Sequence, residues 1–228
     1  MTFREDLEEE VADIFSETWE ETVGRAVPYG TDLTMFNDCR LLNATVLYAD
    51  LDDSSGLVQE KTPHFAAEVY KAFLRCASRV ILAEGGEITA FDGDRVMAVY
   101  LGDDKNKNAV RTALKLNEVR TQIINPAITA QYGAGTYELK HVVGVDTSPL
   151  HVVKSGLPRG ENDYVWVGPS ANFAAKLCSL SSATPSWITM EVFDALDNTL
   201  KFSKQKSMWK SYTWKGRSIY CSSYRWRV

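Results

Sequence analysis

The stretch from residue 44 to residue 101 places the strongest constraint on how this chain can fold. It begins with ATVLYADL, an apolar and β-branched run that is typical of a buried strand. The Thr–Pro pair at 62–63 can start a helix, and the two glycines at 85–86 can end it. GGEITAFDGDRVMAVY then predicts a β-hairpin, because Asp–Gly is a common hairpin turn. This order of strand, helix and hairpin predicts a mainly antiparallel sheet.

The rest of the chain continues the same alternation. A helix is predicted near 104–123, followed by a second hairpin made of ELKHVVGVD and LHVVKSG. DYVWVG reads as a strand, PSANFAAKLCSL as a helix, and the C-terminal segment as two aromatic strands. Since no internal repeat or low-complexity linker interrupts the pattern, we expect an α+β fold. Its plan is the ferredoxin-like βαββαβ arrangement, with helices packed on one face of the sheet.

The N-terminal segment is predicted to be helical. Residues 3–24 carry apolar side chains at helical spacing with acidic residues between them. We therefore divide the chain into an N-terminal helical extension, 1–41, and one main domain, 42–228. The apolar stripe could pack onto its own domain or contribute to a dimer contact, and both alternatives stay open.

Charge and cysteine content narrow the partners. The net charge is −5 and the isoelectric point is near 5.3, which argues against binding to nucleic acid or to an anionic membrane. The start MTFREDLEEEV lacks an apolar core, and no apolar run approaches the roughly 18 residues of a membrane span. The four cysteines show no CxxC spacing and share no ligand spacing with the three histidines. We expect a reduced, cytoplasmic protein without a His/Cys metal site.

Two carboxylates attract attention because of where they fall in the pattern. Asp50 follows an apolar strand, and Asp94 lies at the hairpin turn of the neighbouring strand pair. In a sheet of this order the two strand ends can converge, and paired carboxylates are natural ligands for Mg²⁺ or Mn²⁺. The alternative is that Asp94 is simply a turn residue.

The loop after Asp50 could bind phosphate. Its sequence is LDDSSGL, and the backbone N–H groups with the hydroxyls of Ser54 and Ser55 could cradle phosphate oxygens beside a helix N-terminus. Ser–Ser–Gly is also ordinary loop chemistry, so the motif carries little weight alone.

Four motifs in order resemble a known family. YADL, GGEITAFDGDRVMAVY, GVDTSPLHVVKSG and DYVWVGPSANFAAKL are similar to the signature segments of the class III nucleotide cyclases. The resemblance covers roughly residues 42–180, and KGRSIYCSSYRWRV looks like the closing strands of the family. It implies a cyclase catalytic domain over 42–228 that acts on a nucleoside triphosphate.

The resemblance also assigns residues to roles. Asp50 and Asp94, with the backbone of Leu51, match the ligands of two Mn²⁺ or Mg²⁺ ions. Asn172 matches the residue that orients the ribose, and Lys176 stands where the family usually has an arginine that stabilises the transition state. Such enzymes work as dimers, so a homodimer would combine the metal pair of one protomer with Asn172 and Lys176 of the other.

The base-reading positions depart from the family pattern. Ala90 and Val165 occupy them, and neither side chain has a hydrogen-bonding group. This combination is similar to the pyrimidine cyclases of bacterial anti-phage signalling. We therefore expect UTP, or as the alternative CTP, to be converted into a cyclic mononucleotide that acts as a second messenger. Lys215 or Arg217, near the closing strands, is a candidate ligand of the β- and γ-phosphates.

Three other readings remain open. One is an adenylate cyclase with unusual base contacts, and another is a catalytically silent cyclase-like binding module, favoured by Lys176 and by Asp53 in the loop. The third is a diguanylate cyclase or similar transferase, against which the helix carrying Asn172 argues.

Overall fold

The computed structural model describes residues 2–157 and 162–228, which form α-helices around one large sheet. The helices are Phe3–Ser16 (α1), Ser54–Glu60 (α2), Pro63–Ala83 (α3), Lys105–Val119 (α4), Asn125–Tyr132 (α5), Pro169–Leu177 (α6), Met190–Asp194 (α7) and Asn198–Lys201 (α8), with a π-helical turn at Arg120–Ile124 between α4 and α5. In this part of the chain no helix combines the length and the apolar character that crossing a bilayer requires.

The strands of the described residues form a main sheet, in which most neighbours are antiparallel, and a separate two-stranded sheet. They are Glu20–Val23 (β1), Asp38–Leu51 (β2), Glu87–Asp92 (β3), Arg95–Tyr100 (β4), His141–Gly156 (β5), Asn162–Val167 (β6), Ser186–Thr189 (β7), Phe202–Ser203 (β8), Lys206–Ser207 (β9), Lys210–Trp214 (β10) and Arg217–Ser222 (β11). The main sheet has the order β10-β11-β7-β5-β2-β4-β3, with β1 added to β2 and β6 added to β5. Two pairs, β1 with β2 and β5 with β7, are parallel. The predicted α+β fold is confirmed.

The core lies on both faces of the sheet. Leu47 of β2 packs into the larger cluster, which α3 and α4 cover. Its neighbour Val46 points to the opposite face and packs with Ala171 and Ala174 of α6. The expectation that all helices share one face is therefore wrong. β2 carries apolar residues on both of its faces, so helices have to cover both faces of the sheet.

The predicted second hairpin is one continuous strand. HVVGVD, the main part of the first predicted strand, and LHVVKSG both belong to β5, which pairs with β2 without a break from Arg40 opposite Val152 to Leu51 opposite His141. The sequence resembles a turn because of Pro149. β7 pairs with residues 143–145 of β5 and β6 pairs with residues 151–156. Between these two stretches, where Pro149 lies, β5 has a neighbouring strand on one side only, and a strand tolerates proline at such an edge.

The N-terminal segment also differs from its prediction. The helix ends at Ser16 rather than near residue 24, and Glu20–Val23 form β1 alongside β2. The Asn37 side chain holds the turn between α1 and β1, because it donates hydrogen bonds to the backbone oxygens of Ile14, at 2.7 Å, and Glu17, at 3.0 Å. None of the α1 residues is buried, so its apolar stripe does not pack onto the rest of the described chain. The predicted boundary between 41 and 42 falls inside β2.

Candidate active site

Asp50 and Asp94 lie at the same end of two neighbouring strands. Asp50 is the second-last residue of β2, and Asp94 is the last residue of the turn that leads into β4. Because β2 and β4 are antiparallel with Ala49 opposite Val96, the end of β2 meets the hairpin turn. The Oδ2 atom of Asp94 is buried and has no hydrogen-bond partner among the described residues. A buried carboxylate oxygen without a partner is costly unless a cation or a donor satisfies it.

The electrostatics of Asp50 point to the same conclusion. Burial and the neighbouring Asp94 carboxylate together raise the pKa of Asp50 to about 6, although Arg95 opposes both effects. Two carboxylates that are partly removed from water repel each other, and a divalent cation between them would relieve that repulsion. All-oxygen sites of this kind suit Mg²⁺ and Mn²⁺. The residues present therefore fit a divalent metal ion.

Leu51 could take part only through its backbone. Its side chain is 5% exposed and belongs to the core cluster under α3 and α4. Any contact with a metal ion would therefore use the carbonyl group, which agrees with the role predicted for this position.

The loop after β2 is held by two acids. Asp52 accepts a hydrogen bond from the Ser182 hydroxyl at 2.5 Å, which ties the loop to the segment before β7. Asp53 has a left-handed backbone with φ 57°, and its carboxylate accepts from the Gly56 amide at 3.2 Å. Ser54 and Ser55 open α2, so their amides lie at a helix N-terminus as predicted. A phosphate bound there would meet the negative charge of Asp53.

Ala90 reaches the face of the sheet that carries Asp50 through a β-bulge. The register of β3 against β4 shifts between Ile88 and Ala90, which leaves Thr89 as the extra residue. Ala90 is therefore opposite Met97, and Met97 is opposite Tyr48 of β2. Because side chains alternate along a strand, Tyr48 and Asp50 share one face. Ala90 thus lies on the same face as Tyr48, two strands away, with Met97 between them.

Two residues that sequence reasoning missed surround this position. The Tyr48 hydroxyl donates to the Met97 sulfur at 3.0 Å, and the Arg95 guanidinium lies 5.5 Å from the centroid of the Tyr48 ring. Arg95 also donates to Asp92 at 2.9 Å, while its Nε–H is buried and lacks an acceptor within the described residues. The i, i+2 spacing from Tyr48 to Asp50 was a signal that could have identified the tyrosine; nothing in the sequence identified the arginine.

Val165 lies elsewhere on the sheet. It belongs to β6 and is opposite Val153 of β5, in the half of β5 that is remote from Asp50. Its side chain is 44% exposed. The fold of one chain therefore does not bring the two predicted base-reading positions together.

Asn172 and Lys176 lie one turn apart on α6. Ala171, Ala174 and Leu177 form the buried face of this helix, which leaves Asn172 and Lys176 exposed to solvent. No side-chain hydrogen bond or ion pair engages either residue within residues 2–157 and 162–228. Both side chains are thus available to a ligand or to another protomer.

Lys215 and Arg217 lie at the turn between β10 and β11. Lys215 is exposed, and its Nζ lies 4.6 Å from the centroid of the Trp214 ring. Arg217 is paired with Glu191 at 3.1 Å and with the buried Asp146 at 3.5 Å. Lys215 is therefore the less engaged of the two candidate phosphate ligands.

The known proteins that this chain resembles are nucleotide cyclases. No protein-family model matches the chain. A protein named uridylate cyclase from Xanthomonas perforans is 45% identical over 232 residues, and one of the same name from Burkholderia cepacia is 44% identical over 232 residues. Each alignment covers 100% of both chains. The crystal structure of the adenylyl cyclase CyaB from P. aeruginosa matches with a TM-score of 0.67 at 21% identity, over 81% of this chain and 95% of that chain, and so shares its fold.

Proposed function

Because this chain belongs to the uridylate cyclases, within the class III nucleotide cyclases, we propose that it converts UTP into 3′,5′-cyclic UMP and pyrophosphate. The prediction of a nucleotide cyclase is confirmed by relatives that match it from end to end. The choice of base is a proposal, with CTP as the other substrate that the sequence allows. The observation that carries the proposed chemistry is the buried Asp94 oxygen, which has no partner within the described chain, beside Asp50.

The proposed reaction is an in-line displacement at the α-phosphorus. The ribose 3′-oxygen forms the new bond to phosphorus, the bond to the bridging oxygen of pyrophosphate breaks, and the 3′-hydroxyl proton passes to solvent. Asp50, Asp94 and the Leu51 carbonyl would hold two Mn²⁺ or Mg²⁺ ions. Such ions, when bound, lower the pKa of the attacking hydroxyl and neutralise the triphosphate. The remaining contribution of the chain is to position the reactants.

We further propose that Tyr48 and Arg95 recognise the base. Ala90 presents only a methyl group on the face of the sheet that carries Tyr48, and a pyrimidine needs less room than a purine. The uracil carbonyl groups are acceptors, and Arg95 carries a buried N–H group without an acceptor in the described chain. A site built on such donors rejects bases that cannot accept from them.

The exposed positions of Asn172 and Lys176 support a homodimer with its active sites at the interface. Asn172 would orient the ribose, and Lys176 would place a point charge on the α-phosphate, where an arginine would offer a planar fork. Val165 and Lys215 would contact the base and the outer phosphates from the same side. Ser54 and Ser55 would contribute backbone N–H groups to the phosphates.

The decisive experiment offers each of the four ribonucleoside triphosphates to the purified protein with Mn²⁺ and identifies the product by mass. Cyclic UMP as the main product is expected. Preferred formation of cyclic AMP would overturn the choice of base in favour of an adenylate cyclase. Nucleotide binding without turnover would favour a silent module, which the Asp53 carboxylate at the N-terminus of α2 makes worth testing.

The variants Asp50→Asn and Asp94→Asn test the metal pair. Each should abolish turnover, because either loss leaves too few carboxylates for two ions. Glu87→Gln is a matched control, since it removes an exposed carboxylate from the same hairpin. Turnover that survives in both Asp variants would contradict the mechanism.

A second-messenger role in anti-phage defence is proposed on the resemblance alone. Cells that carry the chain should accumulate the cyclic nucleotide on infection and resist phage, whereas cells that carry the Asp94→Asn variant should do neither. Equal resistance in both would contradict this role. The expected compartment for such a messenger enzyme is the cytoplasm.

A further inference from the structure

Three potential metal ligands meet where β1, β2 and β5 run side by side. Glu21 of β1 is directly opposite Cys39 of β2, and His151 of β5 is opposite Leu41, the next residue on the same face. One ligand atom from each of Glu21, Cys39 and His151 lies within 4.8 Å of the other two. The His151 Nε2 and Glu21 Oε2 atoms are 2.7 Å apart. The sequence spacing of the histidines and cysteines argued against such a site, and the strand register creates it.

The cluster has one closed side and one open side. Cys39 is 3% exposed, whereas the side chains of His151 and Glu21 are 45% and 48% exposed. They line a pocket of about 390 Å³ together with Trp19, Val153 and Val167, and its surface is mostly apolar. The buried Cys39 sulfur is thus held in place by the surrounding core. The His151 imidazole and the Glu21 carboxylate face a pocket that can admit an ion.

The chemistry of the three groups selects the ion. Burial raises the pKa of the Cys39 thiol, and the carboxylates of Glu21 and Asp38 raise it further. A divalent cation would reverse this effect, because a thiol that coordinates a metal loses its proton. Thiolate, imidazole and carboxylate together suit zinc, whereas magnesium and calcium prefer oxygen ligands alone.

We propose that Glu21, Cys39 and His151 bind one zinc ion, with a fourth coordination position open to the pocket. Zinc lies about 2.3 Å from sulfur and about 2.0 Å from nitrogen or oxygen, so tetrahedral ligand atoms are about 3.3–3.6 Å apart. The observed separations, from 2.7 Å to within 4.8 Å, bracket those values. Along β2, Cys39 and Asp50 are separated by about 36 Å at a rise of about 3.3 Å per residue, so this site is distinct from the carboxylate pair of the same chain.

Zinc at this position would attach the N-terminal segment to the catalytic sheet. The residues of β1 are exposed, and none of the α1 residues is buried. Apart from its short pairing with β2, the segment is held mainly by hydrogen bonds from Asn37 and by the contact between Glu21 and His151. A metal ion that joins β1 to β2 and β5 would therefore order this segment.

The test uses the full-length Asp50→Asn protein, so that the carboxylate site does not compete. After removal of metals with a chelator, zinc is titrated against a chromophoric indicator, and one equivalent per chain should bind. His151→Gln, Glu21→Gln and Cys39→Ala should each weaken that binding by about tenfold or more, since losing even an outer-shell partner typically costs 10–100-fold. Cobalt in place of zinc should show a sulfur-to-metal charge-transfer band, which Cys39→Ala abolishes.

Matched controls separate this site from other histidines and cysteines. His64→Gln removes an exposed histidine at the start of α3, and Cys76→Ala removes a half-buried cysteine of the same helix. Both should leave zinc binding unchanged. The proposal is overturned if the parent protein binds no stoichiometric zinc, or if His151→Gln, a change at a half-exposed side chain outside the core, binds zinc as the parent does.

Limited proteolysis tests the structural consequence. Zinc should slow cleavage between α1 and β2 in the parent protein and not in His151→Gln. If zinc leaves the cleavage rate of the parent protein unchanged, the ion does not attach the N-terminal segment and that part of the proposal is overturned. Neither experiment depends on substrate or turnover, so its failure would leave the proposed uridylate cyclase activity untouched.

Discussion

Replacing Asp50 by asparagine should stabilise the metal-free protein at alkaline pH. The ordinary pKa of an aspartate is 3.8, and in the folded chain burial and the neighbouring Asp94 raise the pKa of Asp50 to about 6. The folded state therefore resists ionisation of this group more than the unfolded state does. The wild-type protein loses stability as the pH rises from about 3.8 to about 6 and remains at that lower level above it. Asparagine does not ionise, so the variant escapes this loss.

The magnitude follows from the size of the pKa shift. A shift of about two units corresponds to at most about 3 kcal/mol, at about 1.4 kcal/mol per unit. Because Asp50 is only partly buried, solvent screening reduces the expected gain to about 1–2 kcal/mol. For a chain of this size that gain raises Tm by about 3–6 °C at pH 8, and by nothing at pH 3.5.

Manganese should reverse the sign of the effect. An ion that binds only the folded state stabilises it by about 2.7 kcal/mol at a concentration of about 100 times its Kd. The wild-type protein with an intact Asp50–Asp94 pair gains this stability, and Asp50→Asn largely does not. The variant should thus be the more stable protein in EDTA and the less stable one in Mn²⁺.

Thermal and urea unfolding at pH 3.5, 6 and 8, with EDTA or Mn²⁺, measure both effects. Glu87→Gln is the control, since it removes an exposed carboxylate of the adjacent hairpin and should change neither curve. The electrostatic reasoning would be refuted if Asp50→Asn in EDTA were equally or less stable than the wild type at pH 8, or if its advantage did not grow between pH 3.5 and 6.

Three further predictions concern the base, the dimer and the packing of α6. Arg95→Lys should raise KM for UTP by about tenfold while the dependence on Mn²⁺ stays unchanged, because lysine lacks the planar fork; steady-state kinetics measure it, and an unaltered KM would count against base recognition. Asn172→Ala and Asp94→Asn should each be inactive, whereas a 1:1 mixture of the two should recover about a quarter of wild-type turnover. Half of the randomly formed dimers are then mixed, and each mixed dimer has one complete site out of two. No recovery of turnover after subunit exchange would contradict a shared site. Gly144→Ala should destabilise the fold by about 1–3 kcal/mol, measured by urea unfolding, because its Cβ would clash with the Ala174 carbonyl oxygen, and a neutral result would mean that α6 can move away.

Much of the candidate active site could be predicted because its signals are local. The buried strand that ends at Asp50 is visible as an apolar, β-branched run, and the hairpin that carries Asp94 is visible from its Asp–Gly turn. Antiparallel pairing then brings the two ends together, as the order of elements implied. The roles of these residues, and those of Asn172 and Lys176, stay predictions until the variants are measured.

The proposed base site was harder to predict from the sequence. Ala90 could be read as a missing side chain, but its position opposite Met97 depends on a bulge at Thr89. The placement of Arg95 over Tyr48 depends on the same strand pairing. A shift of register by one residue would move each of these side chains to the other face of the sheet, so local propensity alone does not determine their neighbours.

The sequence by itself determined the α+β elements, the enzyme family and the acids that a divalent ion would need, because helix caps, hairpin turns and ordered motifs are properties of short segments. Only the tertiary structure decided that β5 is one long strand, that β1 joins the sheet, and that Glu21, Cys39 and His151 meet. Those three residues lie on separate strands, and their proximity depends on pairing between segments that are distant along the chain. The free energy that selects such a register comes from burying both faces of the whole sheet, and no single segment carries it.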